Sequence, residues 1–534
     1  MIERNARNKG SLMTKSPLDG RSGLFFCAFL SLAILALSAA PLPAQEQYGR
    51  ASVSIEPAKA PAVAARRARL MDILKDGVIL IPSQYSSRGS LRDNLNFVYL
   101  TGLKEENAVL VLDPAGSPRE AIYHRLPGAG PGQRGGMGGG GQVAIAGPGG
   151  QAVSAKPGAR EAQAGGPGEP APAKGIVERP ADQLAPALRG LAFSGRAKRV
   201  YLPFSDLDFL ARTFGASAVP GPFSLSDALV NVDPTLAEMR LTKDAEEIDA
   251  LREAIDLTAE ALREACRAAE PKMRELDLAA VLRYYFDKRD TEDSFLQVAS
   301  GPNATNVHFG ATERPLASGD LVVFDVGAWI RGYTSDISRT IPANGRFTKE
   351  QRAIYALVLE AEKAGCAKLV PGVTFKAVQT EVEDILMAGL QKIGLVTDVK
   401  SPWQRRLYIQ HGFGHGIGLE VHDVWSWHSP RLDKVAMAPG MVMTMEPGLY
   451  FPEARFDAFL DALKGRAPDA EIAAFREKVG PIYKRYAGIG VRIEDDVLIK
   501  GGGSEVLSSG VPKEIDAVEK LVRERSPFNA LKSF

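Results

Sequence analysis

The chain has 534 residues, room for more than one folded domain, and its 24% charged and 45% hydrophobic side chains are those of an ordinary globular protein. Its 65 Lys and Arg stand against 64 Asp and Glu, so bulk charge supplies no attraction for nucleic acid or an acidic membrane surface. Three cysteines in a chain of this length exclude a disulfide scaffold.

Lys9, Lys15 and Arg21 precede an apolar run from Leu24 to Leu37, and the small residues Ser38, Ala39 and Ala40 follow. A basic segment, a short apolar core and a small-residue end form a secretory signal, here residues 1–44, with Met13 an alternative start. The run is shorter than the roughly 20 residues that cross a bilayer comfortably. The expected location is therefore the periplasm or the exterior, without stable membrane insertion; an uncleaved anchor is the competing reading. Cys27 lies in this run, which leaves Cys266 and Cys366, both in helical patterns and expected as buried free thiols.

Residues 45–64 are polar, rich in Ala and Pro, and read as a linker. An amphipathic helix is expected from about Ala65, then strands at Gly77–Pro82, Phe97–Leu100, Ala108–Leu112 and Ala121–His124, and a helix at Ser205–Phe214. Strands alternating with helices predict an α/β layer domain over 65–235. Within it, 128–174 is dominated by Gly, Pro, Ala and Gln. Such a segment buries too little apolar surface to offset its ordering entropy and is expected as a disordered insertion.

A second unit is expected over 240–525. Helices are predicted at Asp244–Ala269, Leu276–Lys288, Lys349–Leu369 and Thr374–Ile393, with Thr374 as an N-cap. Strands are predicted at Leu321–Val326, Tyr333–Ile341, Val442–Glu446 and Gly490–Ile499, with a helical excursion over 455–484. Helices interleaved with antiparallel strand pairs make this unit α+β.

Four segments of this unit carry chemistry. In the first, an apolar strand is expected to end at Asp325, Gly327 and Gly332 to bracket a turn, and a second strand to carry Asp336. Adjacent antiparallel strands can bring two carboxylates to one cation, and a carboxylate closing an apolar run is costly unless paired or metal-bound. The alternative is a turn cap at Asp325 and a salt bridge at Asp336. In the second, His411, His415 and His422 are three of the chain's six histidines, spaced by glycines at 412, 414, 416 and 418. The glycines disfavour a helix and predict a loop presenting imidazoles. In the third, an apolar run ends at Glu446 before Pro447-Gly448. In the fourth, alternation puts Arg492 and Glu494 on one strand face. Four carboxylates and one imidazole suit hard or borderline divalent ions. They exceed one closed tetrahedral site and fit a pair of ions.

The ordered set Asp325, Asp336, His415, Glu446 and Glu494 resembles the ligand signature of the pita-bread metallopeptidases, which comprise methionine aminopeptidase, aminopeptidase P and prolidase. The stretch Leu91–Gly102 is similar to the N-domain motif of aminopeptidase P and prolidase, and Arg240–Ile248 resembles the joint between their two domains. The resemblance implies a pita-bread catalytic domain preceded by a creatinase/prolidase-like α/β domain. It implies that Asp325 chelates one ion, that His415 and Glu446 hold the other, and that Asp336 and Glu494 bridge them. It further implies that His308, His411 and His422 bind substrate and that Arg492 stands beside the bridging Glu494. Glu446, His422, His308 and Arg492 would then serve catalysis. The implied activity is hydrolysis of the N-terminal Xaa-Pro bond by a metal-bridging hydroxide. Mn2+ is the expected metal, with Co2+, Fe2+ or Zn2+ able to use the same ligands, and the implied assembly is a dimer or tetramer. Peptides with proline second are the expected partners; nucleic acid is not. An Xaa-Pro dipeptidase of the prolidase type is the near alternative, and a metal-free creatinase-like enzyme or peptide-binding pseudoenzyme the remote one. Trp425, Trp427 and His428 fall in a region expected to shape the pocket.

Overall fold

The structure, a computed structural model, describes residues 60–87, 90–124, 176–184, 186–188, 190, 198–204, 229–424 and 434–531. The expected signal, the Gly-rich insertion, the helix at 205–214 and Trp425, Trp427 and His428 lie outside the described residues.

The N-terminal part runs α1 (Ala60–Ile73), β1 (Gly77–Pro82), β2 (Gln84–Ser87), β3 (Ser90–Asp93), α2 (Leu95–Thr101), β4 (Val109–Leu112), β5 (Glu120–His124), β6 (Val177–Pro180), β7 (Arg199–Leu202) and β8 (Leu229–Asn231). One sheet has the order β6-β5-β4-β1-β7-β8. Its β1–β4 and β4–β5 pairs are antiparallel and the other pairs parallel. Every residue of β1 is buried, which explains its uninterrupted apolar run. Helix α1 begins inside the segment read as linker. The strand expected at Phe97–Leu100 is instead the middle of α2. Four apolar residues fit either period, and the flanks decide: Asn94 caps the first turn and Gly102 (φ 69°) closes the last through Val98 O.

The C-terminal part begins with α3 (Asp233–Leu241), α4 (Ala245–Ala268) and α5 (Glu275–Asp287). Asp244 and Glu247 form a reciprocal capping box at the start of α4. Next come β9 (Asp293–Ser300), β10 (Leu321–Ile330), β11 (Tyr333–Thr334) and β12 (Ile337–Pro342), then α6 (Lys349–Lys368), α7 (Phe375–Lys392) and α8 (Pro402–Tyr408). The α4–α5 connection (269–274) and the α6–α7 connection (369–374) have equal length and place Lys272 (φ 82°) and Gly372 (φ 87°) at the same step. Two helix–turn–helix units thus share one design, with Cys266/Cys366 and Pro271/Pro371 at equivalent steps. The chain ends with β13 (Val442–Met445), β14 (Gly448–Tyr450), α9 (Arg455–Ala462), α10 (Asp469–Tyr486), β15 (Gly490–Arg492), β16 (Asp495–Lys500), β17 (Gly503–Val506) and α11 (Ile515–Val522). Helices α9 and α10 form the expected excursion.

Strand β10 is central to the C-terminal part, antiparallel to β9 on one side and β12 on the other. It continues to Ile330, so Asp325 lies mid-strand and does not end it. Gly327 is not in a turn but at a β-bulge, where a Cβ would stand 2.1 Å from Ser335 O. The turn is at Arg331-Gly332, both with positive φ. Two strands expected to be continuous are broken, one before Asp336 and one around Glu494. At each break the backbone N–H leaves the ladder: Asp336 N donates to Asp496 Oδ2 (3.1 Å) and Glu494 N to Ser338 O (3.0 Å). Cys266 and Cys366 are buried free thiols, as expected. Among the described residues, no helix is long and apolar enough to cross a membrane.

Candidate metal centre

The strand breaks converge. Asp336, His415 and Glu494, all buried, each offer a ligand atom within 4.8 Å of the others. Glu446, the first residue after β13, joins them with Oε1 3.6 Å from His415 Nε2, and Asp336 Oδ2 lies 3.5 Å from the same nitrogen. Asp325 is reached through Ser338, whose hydroxyl lies 2.7 Å from both Asp325 Oδ1 and Glu494 Oε2. One hydroxyl proton serves one of these oxygens at a time.

The Gly-rich loop places its imidazoles by running beside β13. Thr444 N donates to His415 O (2.8 Å), and Glu446 N to Phe413 O (3.1 Å). Gly414 (φ 151°) permits this approach, since a Cβ there would meet Thr444 O at 2.2 Å. His415 Nδ1 faces Gly416 O at 3.1 Å. A carbonyl only accepts, so the proton sits on Nδ1 and the Nε2 lone pair faces the carboxylates.

Further histidines lie beside this group. The His422 ring lies 4.2 Å from that of His415, centroid to centroid. His411 Nδ1 is 3.7 Å from Glu446 Oε2. His308 is exposed, between Val307, whose carbonyl accepts from Arg492, and Phe309, whose N–H donates to Gln297. Arg492 binds Asp325 through Nη2, Ser338 Oγ through Nε (2.9 Å), and Tyr450 Oη (3.0 Å) and Val307 O (2.8 Å) through Nη1. Tyr450 Oη in turn lies 3.1 Å from His411 Nε2. All nine residues singled out in the sequence therefore meet. Ser338, Tyr450, Thr444 and Gln297, which donates to Asp325 Oδ2 (2.7 Å), belong to the same constellation. Ser338 follows Asp336 by two residues and Tyr450 follows Glu446 by four, spacings that could have drawn attention; Gln297 carries no motif.

The electrostatics call for cations. Burial, then repulsion from Asp325, Asp496 and Glu446, holds the Asp336 carboxyl well above the ordinary range. Burial, then Asp336, Glu446 and Asp325, does the same to Glu494. Burial lifts Glu446 to about 7 against the pull of His415 and Arg492. Glu494 Oε1 is buried with no hydrogen-bond partner among the described residues. Clustered carboxylates with an unmatched buried oxygen and a bare imidazole lone pair fit divalent metal ions, with oxygen donors outnumbering nitrogen. The imidazoles are suited to remain neutral: burial and His415 lower His422 to about 4, and burial and Arg492 lower His411 to about 4.

A buried ion cluster backs the loop. Arg240 Nη2 donates to Asp423 Oδ1 (2.5 Å) and Glu420 Oε2 (3.1 Å), and Lys243 Nζ to Asp423 Oδ2 (3.0 Å). Arg240 Nη1 reaches Asn96 Oδ1 (2.9 Å) on α2. One arginine thus joins the N-terminal part to the residue after His422.

The model of metallopeptidase family M24 matches residues 249–501. The Xaa-Pro aminopeptidase of Escherichia coli (strain K12) is 33% identical over 62% of this chain and 75% of its own length. Xaa-Pro aminopeptidase 1 of Streptomyces coelicolor is 29% identical over 87% of this chain and 88% of its own. The structure of Pseudomonas aeruginosa aminopeptidase PepP superposes with a TM-score of 0.66 at 29% identity, covering 87% of this chain and 98% of that one.

Proposed function

The chain belongs to the aminopeptidase P family of M24 metallopeptidases, with the pita-bread catalytic fold and an α/β domain before it, and we propose that it hydrolyses the N-terminal Xaa-Pro bond of peptides with two divalent ions. The carrying observation is the convergence of Asp325, Asp336, His415, Glu446 and Glu494 from separate elements on one buried point. His415 and Glu446 would hold one ion and Asp325 the other, with Asp336 and Glu494 available to both. Bound there, the ions supply water acidified to near-neutral pKa and polarisation of the scissile carbonyl. Mn2+ is the proposed metal.

The chain's own groups account for the proton. With the ions bound Glu446 would be a carboxylate, able to take a proton from the attacking water and return it to the proline nitrogen; without them burial lifts the same carboxyl to about 7, a value suited to transfer near neutrality. A C–O bond forms at the scissile carbon as the C–N bond breaks. His422 stands beside His415 at the rim of the site and donates to the carbonyl oxygen as charge builds there. Arg492 holds Asp325 in place and, through Tyr450, orients His411 toward the substrate. His308 and His411 line the path of the substrate. The N-terminal segment supports action in the periplasm or outside the cell, and a dimer or tetramer is the proposed assembly.

Glu446→Gln removes the proton carrier and keeps the shape. The expected result is loss of turnover on an Xaa-Pro-Yaa tripeptide by about 10²-fold or more, with an unchanged thermal transition. Wild-type turnover in Glu446→Gln would overturn the assignment.

A further inference from the structure

We propose that Gln297 is a positioning residue that holds the His308 segment in register with Asp325; the inference rests on the reading of Asp325 as a metal ligand and His308 as a substrate contact. Gln297 on β9 is the register partner of Asp325 on β10. Directly opposed residues of an antiparallel pair put their side chains on the same face. Gln297 uses both ends of its amide there. Nε2 donates to Asp325 Oδ2 at 2.7 Å, and Oε1 accepts from Phe309 N at 2.7 Å. The orientation of the amide is forced, because a carboxylate only accepts and a backbone N–H only donates.

The segment it grips has little else to hold it. From Val307 to Ala311 the backbone has two hydrogen-bond partners among the described residues: Val307 O receives Arg492 Nη1, and Phe309 N donates to Gln297. These two contacts flank His308, and both side chains end on Asp325 Oδ2. His308 is itself exposed, so packing does not fix it. Its place relative to the metal is set by a two-point clamp whose far end is one carboxylate oxygen. With one point removed, the segment can pivot about the other. A displacement of 1 Å at a substrate contact is enough to cost a large factor in rate.

The test uses the full-length, metal-loaded chain and the variants Gln297→Met, Gln297→Glu, His308→Ala and Gln297→Met/His308→Ala. Met keeps the length of Gln and makes neither bond; Glu keeps an acceptor for Phe309 N–H but loses the donor to Asp325 and sets a second carboxylate against it. Amide hydrogen exchange at Phe309 should rise several-fold in Gln297→Met and less in Gln297→Glu. On an Xaa-Pro-Yaa tripeptide, kcat/KM should fall about 10-fold in Gln297→Met, mainly through KM. In the His308→Ala background the same substitution should add less than about 2-fold. Unchanged exchange in Gln297→Met, or losses that multiply in the double variant, would overturn the proposal. A wild-type chain without Xaa-Pro turnover would overturn the functional reading instead, and the exchange comparison would still decide whether Gln297 clamps the segment.

Discussion

Replacing Asp423 by Asn (D423N) removes one charge from a buried cluster and preserves its shape. Asp423 is 1% exposed, between Arg240 at 4% and Lys243 at 5%. Burial alone would raise its carboxyl; Arg240 and Lys243 overcome this and hold it at about 2, below the ordinary 3.8. That gap is worth roughly 2.5 kcal/mol. Because the folded-state value is depressed, this stability is present above about pH 4 and is lost as pH falls through about 2. At pH 7 the variant also leaves two buried cations with Glu420 as their remaining acid, so the total loss is expected at about 3–5 kcal/mol. For a domain of this size that lowers the transition by about 10 °C, read by scanning calorimetry at neutral pH against wild type. A companion Arg240→Met/Lys243→Met/Asp423→Leu variant should recover much of the loss, since it leaves neither buried cation unpaired and Glu420 is partly exposed. A transition within about 2 °C of wild type in D423N would refute the reasoning. His422 precedes Asp423, so kcat/KM should fall in D423N at temperatures where the fold is intact.

Other perturbations have equally definite outcomes. In the metal-stripped chain, Asp336, Glu446 and Glu494 bind protons more tightly than in the unfolded chain. Stability should therefore fall as pH rises from about 4.5 through about 7, and a divalent ion should flatten that slope; a thermal-shift series with and without Mn2+ reads it, and a pH-independent stripped chain would contradict it. Gly327→Ala puts a Cβ against Ser335 O, next to Asp336. It should cost about 1–3 kcal/mol and weaken metal affinity measured by calorimetry. Cys266 and Cys366 are buried, with thiols pushed up by desolvation to about 12 and well above the ordinary value respectively. Neither should react with a thiol reagent until the fold is opened, which a timed labelling assay would show.

Much of the site could be read in the sequence because its ligands interrupt patterns. Asp336, Glu446 and Glu494 each sit where an apolar strand breaks, and His415 sits where glycines forbid a helix. The long helices are equally legible, since Ala245–Ala268 and Lys349–Lys368 carry long 3.6-residue periodicity and capping residues, whereas the short α3, α8 and α11 are absent from the sequence expectations. What stayed hidden was tertiary. Phe97–Leu100, the middle of α2, reads as strand because a run so short fits both periods. Asp325 was placed at a strand end because a buried mid-strand carboxylate makes sense only once Arg492, Gln297 and Ser338 are seen around it. The paired helix units share a connection length, a left-handed step and the pairs Cys266/Cys366 and Pro271/Pro371, too few identities to stand out as a sequence repeat.

The most direct test of the account is turnover of matched Xaa-Pro-Yaa and Xaa-Ala-Yaa tripeptides by the chelator-stripped chain during titration with Mn2+. The account predicts no turnover without metal, a rise to a plateau near about two ions per chain, and cleavage confined to the proline peptide. Turnover that survives chelation, or equal cleavage of the two peptides, would contradict it.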